Sequence, residues 1–212
     1  MMLYEQGRFQ LGDPISKWLP AFKEMQVAVY NSLRGYDLVP ADPPINVWHI
    51  LTHTAGLATE RNPKNQELYK QAVKFYSRQE VIGDFVDRLA TVPLNNHPGT
   101  LWDYSRATCV VGRLVEVLSG QTLADFFKEH IFEPLDMADS HFFLPEEKLS
   151  RFAVAYTPGE DKKIKLTDPD TTESFWLSKP GIYYMGSGGL VSTATDSAWD
   201  SGLLWIGGRP TA

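Results

Sequence analysis

Tyr104 stands directly before Ser105 and Arg106 in the stretch WDYSRATCVVGRLVEVLSG, where Val110, Leu114, Val117 and Leu118 recur at helical spacing up to a stop at Gly120. A phenol in such a place does chemistry only if something nearby makes it acidic. With Ser105 as the N-cap, Tyr104 lies just outside the helix, where unpaired backbone N–H groups and the positive dipole end favour a phenolate. Magnitude limits the idea. Bringing a phenol from about 10 to about 7 takes roughly 4 kcal/mol, and a helix end supplies at most about 2 kcal/mol. A second positive charge is required. Arg106 is a candidate for part of it and, with Trp102, for contacting substrate; the alternative is an arginine solvated in the first turn.

Other residue patterns carry less chemistry. His49 and His53 are spaced to share a helix face, but a zinc protease needs a glutamate in the stretch that Ile50 and Leu51 occupy, so no metal is expected. His97, His130 and His141 are isolated and read as surface or locally hydrogen-bonded residues. Gly186, Gly188 and Gly189 lack the spacing of a nucleotide-binding loop and read instead as a tight turn that lets backbones approach. No cofactor is expected. Cys109 is the single cysteine, which excludes an internal disulfide, and its valine neighbours mark it as a buried structural thiol. Trp102, Trp176, Tyr183 and Tyr184 suit an acyl-binding cleft, and ordinary core serves equally well for each.

The elements that must position these groups are short. Met1 to Glu5 reads as a helix end stopped by Gly7, and Asp13 with Pro14 as the start of a helix through Trp18 closed by Pro20. Residues 35–45, with Pro40, Pro43 and Pro44, read as loop; 46–52 as a short helix ending in the turn His53 to Gly56; and 65–76 as a longer helix. Ser77 with Glu80 makes a capping box for a helix through Leu89, and residues 90–100 form the approach to Trp102. Thr122 with Asp125 caps a helix to Phe132; HFF, FAVAY and KIKL read as short strands; Thr193 with Asp196 caps a last helix.

Composition sets the class. Across 212 residues, 43% hydrophobic and 22% charged content match a soluble globular chain, and a net charge of −6 with no basic cluster excludes a nucleic-acid partner. No run of apolar residues is long enough for a membrane span and no export signal is evident, so no membrane partner and a cytoplasmic location are expected.

Four ordered stretches carry a resemblance: MMLYEQGRFQLGDPISKWLPAF, NVWHILTHTAGL, PGTLWDYSRATCVVGRLVEVLSGQTLADFFKEHIFEPLDMADSHF and GSGGLVSTATD. Together they resemble the serine β-lactamase and penicillin-binding-protein-like hydrolases, most nearly the family VIII carboxylesterases such as the butanediol diacrylate esterases. The resemblance implies an acyl-enzyme mechanism: a serine attacks an ester or lactam carbonyl, a lysine three residues on helps activate it, and a tyrosine, here Tyr104, shuttles the proton. It further implies that the lysine supplies the missing charge and that the serine helix precedes the segment beginning at Met1. No Ser or Thr in this sequence has Lys three positions on. Arg106 stands where many lactamases have asparagine, and SAWDSGLLWIGGRPTA departs from the family pattern, with WIGG only a faint echo of its C-terminal strand motif.

The resemblance implies an α+β fold with an antiparallel sheet built from both chain ends. This chain is expected to hold mainly the helical part plus short antiparallel strands, as a partial hydrolase domain over 1–196 and a divergent tail over 197–212, truncated at both ends and inactive by itself. Its partner would be a small ester or lactam once completed, and exposed apolar surface would favour self-association. The alternative is a nonenzymatic scaffold or binding protein that keeps the helical domain.

Overall fold

The computed structural model describes residues 1–33, 35–61, 63, 65–74, 80–159, 163–166 and 183–197. These form two compact units, one from the described residues up to 126 together with 183–188, the other from described residues 127–166 and 189–197. The architecture is α+β: short helices with two separate antiparallel strand pairs.

In the first unit, α1 (Met2–Glu5) ends before Gly7, whose φ of 70° is a backbone that glycine adopts freely. The helix expected over 14–18 is a single 3-10 turn, Ile15–Lys17, and Pro20 opens a second, Pro20–Phe22, rather than closing the first. Asp13 does not cap it. Its carboxylate accepts the Gln10 N–H at 2.9 Å, and its carbonyl accepts the N–H of Val47. Strand β1 (Gln26–Asn31) pairs with β2 (Gly35–Pro40) in the register Val27 to Val39 and Tyr30 to Tyr36. The loop expected over 35–45 is thus half strand. Its prolines fall at the strand end and beyond, so Gly35 to Val39 keep their ladder groups. On its other side β1 takes Leu94: Leu94 N–H donates to Gln26 C=O at 2.7 Å and Ala28 N–H to Leu94 C=O at 2.9 Å.

Helix α2 (Val47–Leu51) is held by a reciprocal cap: His49 N–H donates to Asn46 Oδ1 at 2.9 Å, and Asn46 N–H donates to His49 Nδ1 at 3.3 Å. Helix α3 (Gln66–Ala72) is shorter than expected, and α4 (Ile82–Leu89) begins after Val81 without a side-chain cap. Ser77 of the expected capping box lies outside the described residues. Glu80 turns to Arg88 as an ion pair instead. The apolar face of α4, with Phe85, Val86 and Leu89 fully buried, packs on α5 (Ala107–Ser119), which buries Cys109, Val110 and Leu114. Gly120, at φ 76°, closes α5 where expected, and α6 (Leu123–Phe127) starts from Thr122, whose hydroxyl accepts the Asp125 N–H at 3.1 Å.

In the second unit a π-helical turn, Lys128–Phe132, is followed by the 3-10 turn Glu146–Arg151 and the hairpin β3 (Tyr156–Pro158) with β4 (Ile164–Leu166). Of the expected strand over 152–156 only Tyr156 is in the ladder, and of HFF only His141, which bridges Val191. Thr193 caps the helical turn at 194–197 as the sequence indicated. No described helix is long and apolar enough to cross a membrane.

Candidate active site around Tyr104

Tyr104 is placed by two backbone systems that meet in front of α5. The first is the turn His53 to Gly56. After α2, Thr54 N–H donates to His49 C=O at 2.9 Å and His53 N–H to Ile50 C=O at 3.4 Å. This is the paired bond set of a left-handed helix stop, with His53 at φ 56° in the position where glycine is usual. A side chain there costs about 1 kcal/mol. Gly56, at φ 73°, is obligatory in its own place, because a methyl group there would overlap the Asn96 carbonyl.

The second system is the approach loop. Asn95 N–H donates to Gly56 C=O at 2.7 Å, Gly99 N–H to Thr54 C=O at 2.8 Å, and Asp103 N–H to His53 C=O at 2.9 Å. Asn65 donates through Nδ2 to Pro93 C=O at 2.8 Å and to Asn95 Oδ1 at 3.0 Å, fixing the loop from α3. The turn and the loop are zipped together residue by residue, and Tyr104 follows from the last bond. Its ring faces the His53 imidazole with centroids 4.8 Å apart and 33° between planes, and 51% of the residue is exposed. Trp102 is 63% exposed, with its ring 6.4 Å from His53.

Two expectations about the helix start are corrected. The N-cap of α5 is Arg106, not Ser105; Ser105 is buried, and its N–H donates to His53 Nδ1 at 3.4 Å, which draws it back into the turn. Arg106 is not a solvated first-turn arginine. Its guanidinium turns inward, donating to Ser187 Oγ at 3.4 Å and hydrogen-bonding Tyr69. Burial acts to lower it, and the hydrogen bond and charge of Tyr69 with the charges of Cys109 and Tyr183 outweigh that, so it stays above its ordinary value.

The glycine-rich turn behaves as the sequence suggested. A methyl group on Gly186 would overlap the Thr108 carbonyl oxygen, so this turn lies flat against α5. Ser187 thereby reaches both Arg106 and the buried thiol of Cys109, 3.1 Å away. Tyr183 is core, its phenol pushed well above the usual range by burial and by the charges of Cys109 and Glu80, and Tyr184 is raised by burial in the same direction. Trp176 lies outside the described residues, as does all of the 197–212 tail beyond Ser197. His97 Nδ1 accepts the Asp42 N–H at 3.2 Å, a partner 55 residues away rather than the local one expected. No group of metal-ligating side chains occurs among the described residues. Tyr69, Ser187 and the ring role of His53 were not foreseen; the one sequence signal was a histidine standing where a helix stop calls for glycine.

Comparison with known proteins meets this geometry. The family model described as "Beta-lactamase" matches residues 1–198. Esterase EstB of Burkholderia gladioli is 31% identical over 219 residues, covering 92% of this chain and 50% of that protein. Lovastatin esterase of Penicillium rubens is 32% identical over 210 residues, covering 96% and 47%. Among solved structures, EstCE1, a hydrolase with promiscuous acyltransferase activity, superposes with a TM-score of 0.74 at 25% identity, covering 98% of this chain and 55% of that one. Simvastatin synthase (LovD) from Aspergillus terreus gives 0.74 at 25%, covering 96% and 48%. The chain spans about half the length of the curated relatives it matches. With the family model spanning both the Tyr104 stretch and the glycine-rich turn, the chain belongs to the Beta-lactamase family, within the serine β-lactamase and penicillin-binding-protein-like superfamily.

Proposed function

We propose that these 212 residues carry the proton-relay half of an acyl-serine hydrolase site, with Tyr104 as the relay and short acyl esters as the substrate class. The observation that carries this reading is the placement of Tyr104: a half-exposed phenol directly ahead of α5, on a platform of interlocked backbone, in a chain whose family relatives include esterases. A phenol so placed is reachable by substrate and fixed at its base, as a proton relay requires. Arg106 is engaged with Ser187 and Tyr69, which favours a different source for the second positive charge.

The nucleophile and its lysine come from polypeptide outside these residues, since no Ser-x-x-Lys or Thr-x-x-Lys occurs within them. In the completed site the serine hydroxyl loses its proton to the Lys–Tyr104 pair and attacks the ester carbonyl. Tyr104 returns the proton to the departing alcohol, and water then releases the acid. Trp102, exposed beside Tyr104, is placed to contact the acyl or alcohol part.

The test is a pair of assays. The 212-residue chain alone, incubated with a fluorophosphonate probe and p-nitrophenyl butyrate, is expected to show neither labelling nor turnover. A chimera in which residues 1–212 replace the matching stretch of Esterase EstB, with that protein's flanking sequence kept on both sides, is expected to hydrolyse the ester and to lose that activity in Tyr104→Phe. A folded chimera without turnover would favour the nonenzymatic scaffold instead.

A further inference from the structure

We propose that His53 is a positioning residue for Tyr104, holding the phenol ring from one face while leaving its hydroxyl open; this rests on the reading of Tyr104 as the proton relay. The backbone at His53 gives no local reason for a histidine. The residue sits at φ 56° immediately past α2, with both bonds of the helix stop in place, and glycine meets that geometry without strain. What the imidazole adds is contact with each residue around the phenol. Its ring lies 4.8 Å from the Tyr104 ring and 6.4 Å from that of Trp102, and its Nδ1 accepts the Ser105 N–H at 3.4 Å. Its carbonyl accepts the Asp103 N–H at 2.9 Å. Residues 102 to 105 are thus all fastened to this one side chain and its backbone. Among the described residues, no other aromatic ring lies against Tyr104.

The chemistry of the ring suits the task. Because Nδ1 accepts from the Ser105 N–H, the neutral imidazole carries its proton on Nε2. A half-exposed tyrosine without this face would sample several rotamers, whereas a relay must present its oxygen to one place. Backbone strain retained in exchange for a side-chain contact is a pattern concentrated at functional sites.

The experiment uses the 212-residue chain with 3-fluorotyrosine incorporated, the Tyr104 fluorine signal being assigned by its loss in Tyr104→Phe. His53→Gly suits the left-handed backbone, and His53→Asn tolerates it while also lacking the ring. Both variants are expected to keep the far-ultraviolet dichroism of the parent, while the Tyr104 signal moves to the position of free fluorotyrosine and sharpens. Cross-relaxation between His53 and Tyr104 ring protons is expected in the unsubstituted chain. An unchanged Tyr104 signal in the folded variants, or no cross-relaxation in the parent, overturns the proposal. In the chimera, His53→Gly should lower kcat about 10- to 100-fold with KM retained. If Tyr104→Phe leaves turnover intact, the relay reading falls, while the fluorine signal still decides the placement of the ring.

Discussion

Gly186 and Gly112 meet backbone to backbone: a methyl group on Gly112 would lie 3.0 Å from the Cα of Gly186, and one on Gly186 would lie 3.1 Å from the Cα atoms of Gly112 and Cys109. The glycine-rich turn and α5 are therefore in contact with no side chain between them, which fixes where Ser187 can stand.

Gly186→Ala is expected to lower stability by more than about 2 kcal/mol and Gly112→Ala by about 1 to 3 kcal/mol, because overpacking against backbone has no rotamer to relax. The double variant should lose less than the sum, since one displacement of the turn accommodates both methyl groups. Urea denaturation checks this. Additive losses would mean the two glycines do not share a contact.

Arg106 and Ser187 should behave as a coupled pair. In a double-mutant cycle with Arg106→Ala and Ser187→Ala, an interaction energy of about 0.5 to 1 kcal/mol is expected for a long, half-buried charged hydrogen bond. Arg106→Ala alone should cost more, because Tyr69 also loses its partner. A coupling of zero would return Arg106 to solvent.

Burial lowers the His49 imidazole, and its Nδ1 accepts the Asn46 N–H only while neutral. Its folded value lies below the unfolded one near 6.5, so between the two the unfolded chain binds more protons. The contribution is complete above about pH 6.5 and is lost as pH falls through the folded value. Thermal midpoints should drop between about pH 7 and pH 5, and His49→Gln, which can keep the reciprocal cap without titrating, should flatten that slope. His141, also lowered by burial and by Lys148, serves as the control through His141→Gln. An identical slope in His49→Gln would assign the effect elsewhere.

Asp196 is a buried carboxylate that organises the second unit. Its Oδ2 accepts the Asp139 N–H and the Ser140 hydroxyl, each at 2.9 Å, and its Oδ1 accepts the Thr193 hydroxyl at 3.1 Å. Asp196→Ala removes the acceptor of the Asp139 N–H and the Thr193 hydroxyl, leaves the Ser140 hydroxyl only Ser192, and should cost about 2 to 4 kcal/mol. Faster hydrogen exchange at the Asp139 amide is the readout. Protection equal to the parent would contradict it.

Trp48, Leu51, Leu101 and Trp102 are large apolar side chains left exposed in the first unit. Sedimentation of the 212-residue chain is expected to show mass rising with concentration, reduced by Trp48→Glu with Trp102→Glu. A concentration-independent monomer would show that these faces do not attract one another.

Local chemistry made several elements legible. The stop of α5 at Gly120 and the Thr122 and Thr193 caps are decided within three or four residues, so the sequence states them. The strand at Gly35–Pro40 was not legible, because what holds it is β1 across a turn, with Leu94 on the far side of β1. Helix α4 starts at Ile82, four residues later than a Ser77 cap would place it, and Glu80 pairs with Arg88.

At the site, the sequence alone determined that a tyrosine precedes a helix, that its deprotonation needs a second cation, and that no Ser-x-x-Lys is present, since these follow from residue type and spacing. Only the tertiary structure decided which way Arg106 points, why Ser105 is not the cap, and what faces the phenol. Ser187 is 81 residues from Arg106 and His53 is 52 from Ser105. Contacts across such separations depend on two turns docking against one helix, and the glycines that permit it mark a close approach without specifying what is approached.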